Sequence, residues 1–108
     1  MSLGGPGYSQ TMADACQAAW NAGVVIFAAA GNSNSTAPGY PAAYSDVISV
    51  MAVDAARNRA PYSNWGPTVE LAAPGGDVTV DLTADGYVDG VLSPLWGEGS
   101  SPKSPVFA

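Results

Sequence analysis

Residues 24–34 read VVIFAAAGNSN: four large apolar side chains, three alanines, then Gly31-Asn32. An apolar run without alternation predicts a strand buried on both faces. Its taper to alanine leaves room for another chain to lie close, and Gly-Asn ends it in a turn. Working outward, Ser9 can cap a helix over about residues 10–22. Met12, Ala15, Cys16, Ala19 and Trp20 fall three and four apart and predict one apolar face, with Gly23 as the stop. Residues 31–45 carry the Gly, Asn, Ser and Pro of a loop. VISVMAV, Val47 to Val53, reads as a second buried strand. After a turn over residues 54–59, a short extended piece (APYSN) and the turn WGP, Val69 to Ala73 reads as a third strand ending at APGGD. MSLGG at the start is a scrap of strand. Strand, helix, strand, loop, strand is the pattern of an α/β chain, here a partial parallel sheet with a crossover helix.

The composition narrows the function. Three basic residues against nine acidic ones give a net charge of −6. Nucleic acid is bound mainly through Lys and Arg on phosphates, so it is excluded as a partner. The acidity suits cation binding and an extracellular or saline setting. The sequence holds no histidine, which leaves no Ser-His-Asp or Cys-His machinery and no His-ligated zinc within these residues. The single cysteine, Cys16, has no internal disulfide partner, and its place on the helix face marks it as core. The longest apolar stretch, residues 22–30, is far shorter than the ~20 residues of a membrane helix, so no membrane partner and no signal peptide are expected. With 108 residues the chain is at most one domain. Composition divides it at residue 76, a segment 1–76 followed by an acidic loop and a Pro/Ser/Gly-rich tail over 77–108.

Asn32 stands at the carboxyl end of the central strand, where ligands of open α/β sheets gather. There its carboxamide can aim an N–H at a developing oxyanion. Read by itself, AAAGN is also an ordinary turn. It is not by itself: MSLGG at 1–5, AAAGN at 28–32, GYPAAYSDVISVMAVD at 39–54, YSNWGP at 62–67 and LAAPGGD at 71–77 occur in this order. Together they resemble the central part of a subtilisin-like serine protease (subtilase) catalytic domain, a fragment of its three-layer α/β fold. The resemblance implies that Ser2, Leu3 and Gly4 pair with substrate backbone and form one wall of the primary specificity pocket. It implies that Ala29, Ala30 and Gly31 form the opposite wall, that Gly39 lies at the pocket floor before a cis Tyr40-Pro41 bond, and that Asn32 is the oxyanion-hole donor. DVISVMAVD and YSNWGP are matched to a structural strand and turn. The family's catalytic Asp and His precede the MSLGG segment and its nucleophilic Ser follows in a Gly-Thr-Ser-Met-Ala motif. None of the three is matched here, so the segment is expected to be inactive alone. The parent is expected to be an extracellular peptidase acting on peptide or protein.

A second candidate site is DVTVDLTADGYVDG, residues 77–90. Asp81, Thr83, Asp85, the Tyr87 backbone and Asp89 match successive ligand positions of a calcium loop, with Gly86 at the bend and Asp77 as a further ligand. Leu92 stands where a bidentate Glu belongs, and a solvated acidic turn is the alternative. Trp20 and Trp65 are assigned to packing, Trp96 to the loose tail, and SPKSP at 101–105 to a connector. Asn34-Ser35-Thr36 is a formal glycosylation sequon. The competing reading of the whole chain is a non-catalytic module that binds calcium, peptide or a second copy of itself through uncovered sheet edges.

Overall fold

The computed structural model describes residues 1–92 together with the backbone of two short strands at 94–95 and 106–107. Trp96 and the SPKSP stretch lie outside the described residues.

Helix α1 spans Gln10–Asn21. Ser9 caps it, with its Oγ accepting the Met12 N–H at 3.3 Å. At the other end Gly23 takes φ +85°, the Gly23 N–H donates to Trp20 O and the Val24 N–H to Ala19 O. That is the paired closure by which a left-handed glycine satisfies the last carbonyls of a helix. The apolar face is narrower than the spacing predicts. Cys16 is buried with Ala13 beside it, whereas Met12, Ala15 and Trp20 are exposed. The helix packs on the sheet chiefly through one strand and on the Ala42–Tyr44 segment, which together cover only a stripe of it.

Strands β1 (Ile26–Ala29), β2 (Val47–Val53) and β3 (Leu71–Pro74) form a parallel sheet in that order. Ile26 lies opposite Val47, and Val50 opposite Leu71. At the free edge of β1 the Ala29 N–H donates to Met1 O at 3.0 Å and the Met1 amine to Phe27 O. That pair of bonds is the parallel ladder pattern, so α1 is the crossover between the N-terminal stretch and β1. The expectation of an α/β chain with a partial parallel sheet and a crossover helix is met.

Burial corrects the reading of 24–30. Val24 and Val25 precede the strand and are exposed, and within β1 only Ala28 is buried. One face of β1 meets α1, and Phe27 and Ala29 on the other face look into an open cavity. The run is apolar on both faces, but the described residues cover only one. β3 is exposed throughout and begins two residues later than expected. APYSN is not extended: Pro61 and Tyr62 turn.

The core beneath α1 is Cys16, Ala28, Ala42, Tyr44 and Val47. Tyr44 secures it to the helix start, its hydroxyl accepting the Ser9 N–H at 3.0 Å and donating to Ser9 O at 2.9 Å. Tyr8 and Tyr40 pack against the Tyr44 ring, Tyr8 edge-on. Beyond β3, β4 (Gly76–Asp77) pairs antiparallel with β5 (Asp89–Gly90), and β6 (Pro94–Leu95) with β7 (Val106–Phe107). The compositional change at residue 77 therefore falls inside β4. No helix of the described residues is long and apolar enough to cross a membrane.

Candidate functional site

A cavity of about 310 Å³ opens at the carboxyl end of β1. Its lining includes Ser2, Leu3 and Gly4, Ala29, Ala30 and Gly31, Gly39 and Asn32. All eight residues assigned to the substrate pocket and the oxyanion hole thus meet at one place, although they come from three separate stretches of chain. The backbone explains how. Met1 pairs with β1, so the Ser2–Gly4 stretch leaves the sheet beside Ala29–Gly31. Gly5 and Tyr40 then exchange both backbone hydrogen bonds, at 3.0 and 2.8 Å, and tie that stretch to the loop carrying Gly39. Gly4 has no room to spare, since a β-carbon there would lie 3.2 Å from Tyr40 O. Tyr40-Pro41 is cis, as expected.

Asn32 is exposed and also borders a larger, more apolar cavity of about 580 Å³ on the open face of β1 and β2. The turn that carries it is held by a residue whose role was not legible in the sequence, Asn64. The Asn64 Oδ1 accepts the N–H groups of Ser33 (2.9 Å) and Ser35 (3.1 Å), while its Nδ2 donates to Ala30 O (3.0 Å). Its backbone N–H donates to Gly31 O at 2.8 Å. Asn34 N–H to Tyr62 O and Trp65 N–H to Ser35 O complete a zipper between residues 30–35 and 62–65. Arg59 reinforces it, donating to Asn34 Oδ1 (2.7 Å) and Ser63 O (2.8 Å) with its guanidinium over the Trp65 ring. Buried Ser63 supports Asn64 from behind: its Oγ accepts the Ala52 N–H and donates to Asn64 O. Asn64, Ser33 and Gly5 line the same cavity. The only sequence signal for Asn64 was its membership of the YSNWGP turn.

The acidic loop behaves differently. Asp81 accepts the Gly86 N–H at 3.0 Å and the Asp85 N–H at 3.3 Å, and Asp85 accepts the Tyr87 N–H at 2.9 Å. Asp89 takes the Leu82 N–H on one oxygen and the Thr83 hydroxyl, at 2.8 Å, on the other. Asp77, buried in β4, accepts both the N–H and the hydroxyl of Thr79. Among the described residues no three acidic side chains are gathered to hold a metal. Calcium takes six to eight oxygens. In this arrangement Asp77, Asp81, Asp85 and Asp89 accept the loop's own donors, and the residues assigned to calcium, Asp77, Asp81, Thr83, Asp85, Tyr87 and Asp89, are not drawn together as a ready-made oxygen shell. The Leu82 N–H, followed by the Thr83 hydroxyl, holds the Asp89 carboxyl below the ordinary aspartate range.

A model of the subtilase family matches residues 1–103. Thermitase of Thermoactinomyces vulgaris is 45% identical over 75 residues, covering 69% of this chain and 27% of that protein. A thermophilic serine proteinase of a Bacillus species, strain AK1, is 41% identical over 108 residues, 100% of this chain and 25% of that protein. Among solved structures, a protease of Pseudoalteromonas arctica superposes with a TM-score of 0.80 at 34% identity, over 99% of this chain and 31% of that one. The chain thus spans about a quarter of the length of the two curated relatives. The three-stranded sheet with its crossover helix is a piece of the subtilisin-like α/β fold, and the chain belongs to the subtilase family.

Proposed function

We propose that this chain supplies the primary substrate pocket and one oxyanion donor of a subtilisin-like serine endopeptidase, and that it cleaves nothing alone. The observation that carries this reading is the convergence of eight residues, chosen from their sequence motifs, on one 310 Å³ cavity. A substrate strand lies along Ser2-Leu3-Gly4, which are exposed, and its side chain enters between that wall and Ala29-Ala30-Gly31 above Gly39. When a serine oxygen from elsewhere in the protein attacks the scissile carbonyl, the carbonyl oxygen gains negative charge. The Asn32 Nδ2–H groups donate to it, an interaction that strengthens as the charge develops and so lowers the barrier. The proton leaving the serine needs an acceptor, and with no histidine among the 108 residues that acceptor also lies outside them. The parent protein acts outside the cell, in keeping with the resemblance and the acidic composition.

The experiment is a chromogenic peptide assay on the chain and on the complete protease that carries it. The chain gives no turnover. In the complete protease Asn32→Ala lowers kcat by about 10²–10³; that figure comes from the subtilisin oxyanion asparagine itself, the reference case for the effect, and is borrowed from it. Turnover by the chain alone, or an Asn32→Ala enzyme as fast as its parent, overturns the proposal.

A second reading, self-association through uncovered sheet, has its own support. Phe27 of β1 and Leu71 of β3 are each 49% exposed, an unusual state for apolar strand residues. It concerns what the isolated chain does and is compatible with the first.

A further inference from the structure

We infer that Asn64 is a positioning residue for Asn32: it fixes the turn on which the oxyanion donor stands and so acts on the rate of the chemical step. The inference rests on the donor role proposed for Asn32. Three features of the geometry carry it. First, the carboxamide uses both of its ends on one short turn, accepting from Ser33 and Ser35 and donating to Ala30 O, so it brackets residues 31–32 from both sides. Second, contact is close enough that a β-carbon on Gly31 would lie 2.5 Å from Asn64 Nδ2, which leaves the side chain seated against the backbone immediately before Asn32. Third, Ser33 is exposed and Ser35 half-buried, and among the described residues neither amide has another side-chain acceptor, so without Asn64 the Ser33 N–H reverts to water and the Ser35 N–H loses its partner. A donor aimed at a transition state has to be held within about 0.5 Å by its surroundings, and a 1 Å misplacement can cost about 10²-fold in rate. Asn64 touches no reacting atom in this scheme. Its effect passes entirely through Asn32.

That last point makes the inference separable from a general loss of stability. In the complete protease, kcat and KM are measured for the parent, Asn32→Ala, Asn64→Ala and the double variant. Asn64→Ala is expected to lower kcat about 10-fold with KM within about twofold, and to cost nothing further once Asn32 is gone. An equal fall in kcat with and without Asn32 shows a merely structural role and overturns the inference. So does an Asn64→Ala enzyme as fast as its parent while Asn32→Ala is slow. If Asn32→Ala is itself as fast as the parent, the donor reading fails and this inference with it, an outcome distinct from the previous one. Amide hydrogen exchange on the unaltered protein tests the clamp even if Asn64→Ala does not fold. The Ser33 N–H is expected to be protected although its residue is exposed, and the Ser35 N–H with it; exchange of the Ser33 N–H at the free-peptide rate overturns the clamp.

Discussion

Gly31 is under two constraints at once. Its φ of +113° lies outside what a side-chain-bearing residue adopts readily, and the space a β-carbon would take is filled by the Asn64 carboxamide. Gly31→Ala is therefore expected to destabilise the complete protease by about 2–3 kcal/mol, the sum of backbone strain and displacement of the clamp. A urea midpoint unchanged from the parent would count against it. Much of the site could be read in advance at this scale, because the pocket residues sit in stretches whose order and identity are distinctive. Asn64 could not. Its importance consists of bonds to residues 29–34 positions earlier, and within YSNWGP nothing separates a clamp from an ordinary turn residue. Local sequence reveals turn chemistry; it does not reveal which distant amides a turn residue will satisfy.

At the scale of elements, α1 was legible at its ends and not on its faces. Ser9 and Gly23 act through bonds to their immediate neighbours, and those are written locally. Ser9→Ala should lower stability by about 0.5–1 kcal/mol, at the weak end for caps because the Oγ–Met12 bond is long and exposed, as thermal melts can verify. Which side of α1 is buried depends on the segments packed beneath it, so Met12 and Trp20 look like core in a periodic pattern and remain exposed here. The same holds for β1, whose apolar run is a statement about two neighbours when the chain provides one. The acidic loop is ambiguous in another way. Aspartates spaced like metal ligands are also spaced to cap backbone N–H groups, and in this arrangement they do the latter. Calcium added at millimolar concentration should leave the loop's amide shifts unchanged, and a saturating shift at Asp81 or Asp89 would reverse that reading. The loop should respond to acid instead. Because the folded carboxyl of Asp89 is held below its unfolded value, its stabilising effect is complete above the ordinary aspartate pKa of about 3.9 and is lost as pH falls through the lower folded value. The Leu82 amide resonance should thus hold steady from pH 7 to 5 and move only below about pH 4, and Asp89→Asn should abolish the movement. A change near pH 6 would contradict the assignment.

At the scale of the whole molecule, the described core is made of small residues. Cys16, Ala28, Ala30, Ala42 and Ala60 are buried beside Tyr44 and Val47, while Phe27, Val24, Val25, Leu71 and Trp20 are not. Full burial of a large apolar side chain is worth about 1.5–3 kcal/mol, so much of the stabilisation encoded in this sequence is not realised within it. Expressed alone, the chain should associate; sedimentation that shows a compact monomer across a tenfold dilution series would refute this. The zipper between residues 30–35 and 62–65 has a further consequence, for anyone who would divide the protein into complementary pieces. The turn bearing Asn32, the proposed donor, and Asn64 close a loop of some thirty residues, worth roughly 3 kcal/mol of closure entropy. A split between residues 36 and 61 would place Asn32 and Asn64 on different polypeptides, and every reassembly would have to recreate the donor's alignment between two molecules. A split after residue 67 would leave that alignment as an intramolecular property of one half. Two reconstituted enzymes with the same residues would then differ in how their rate depends on the affinity between the halves.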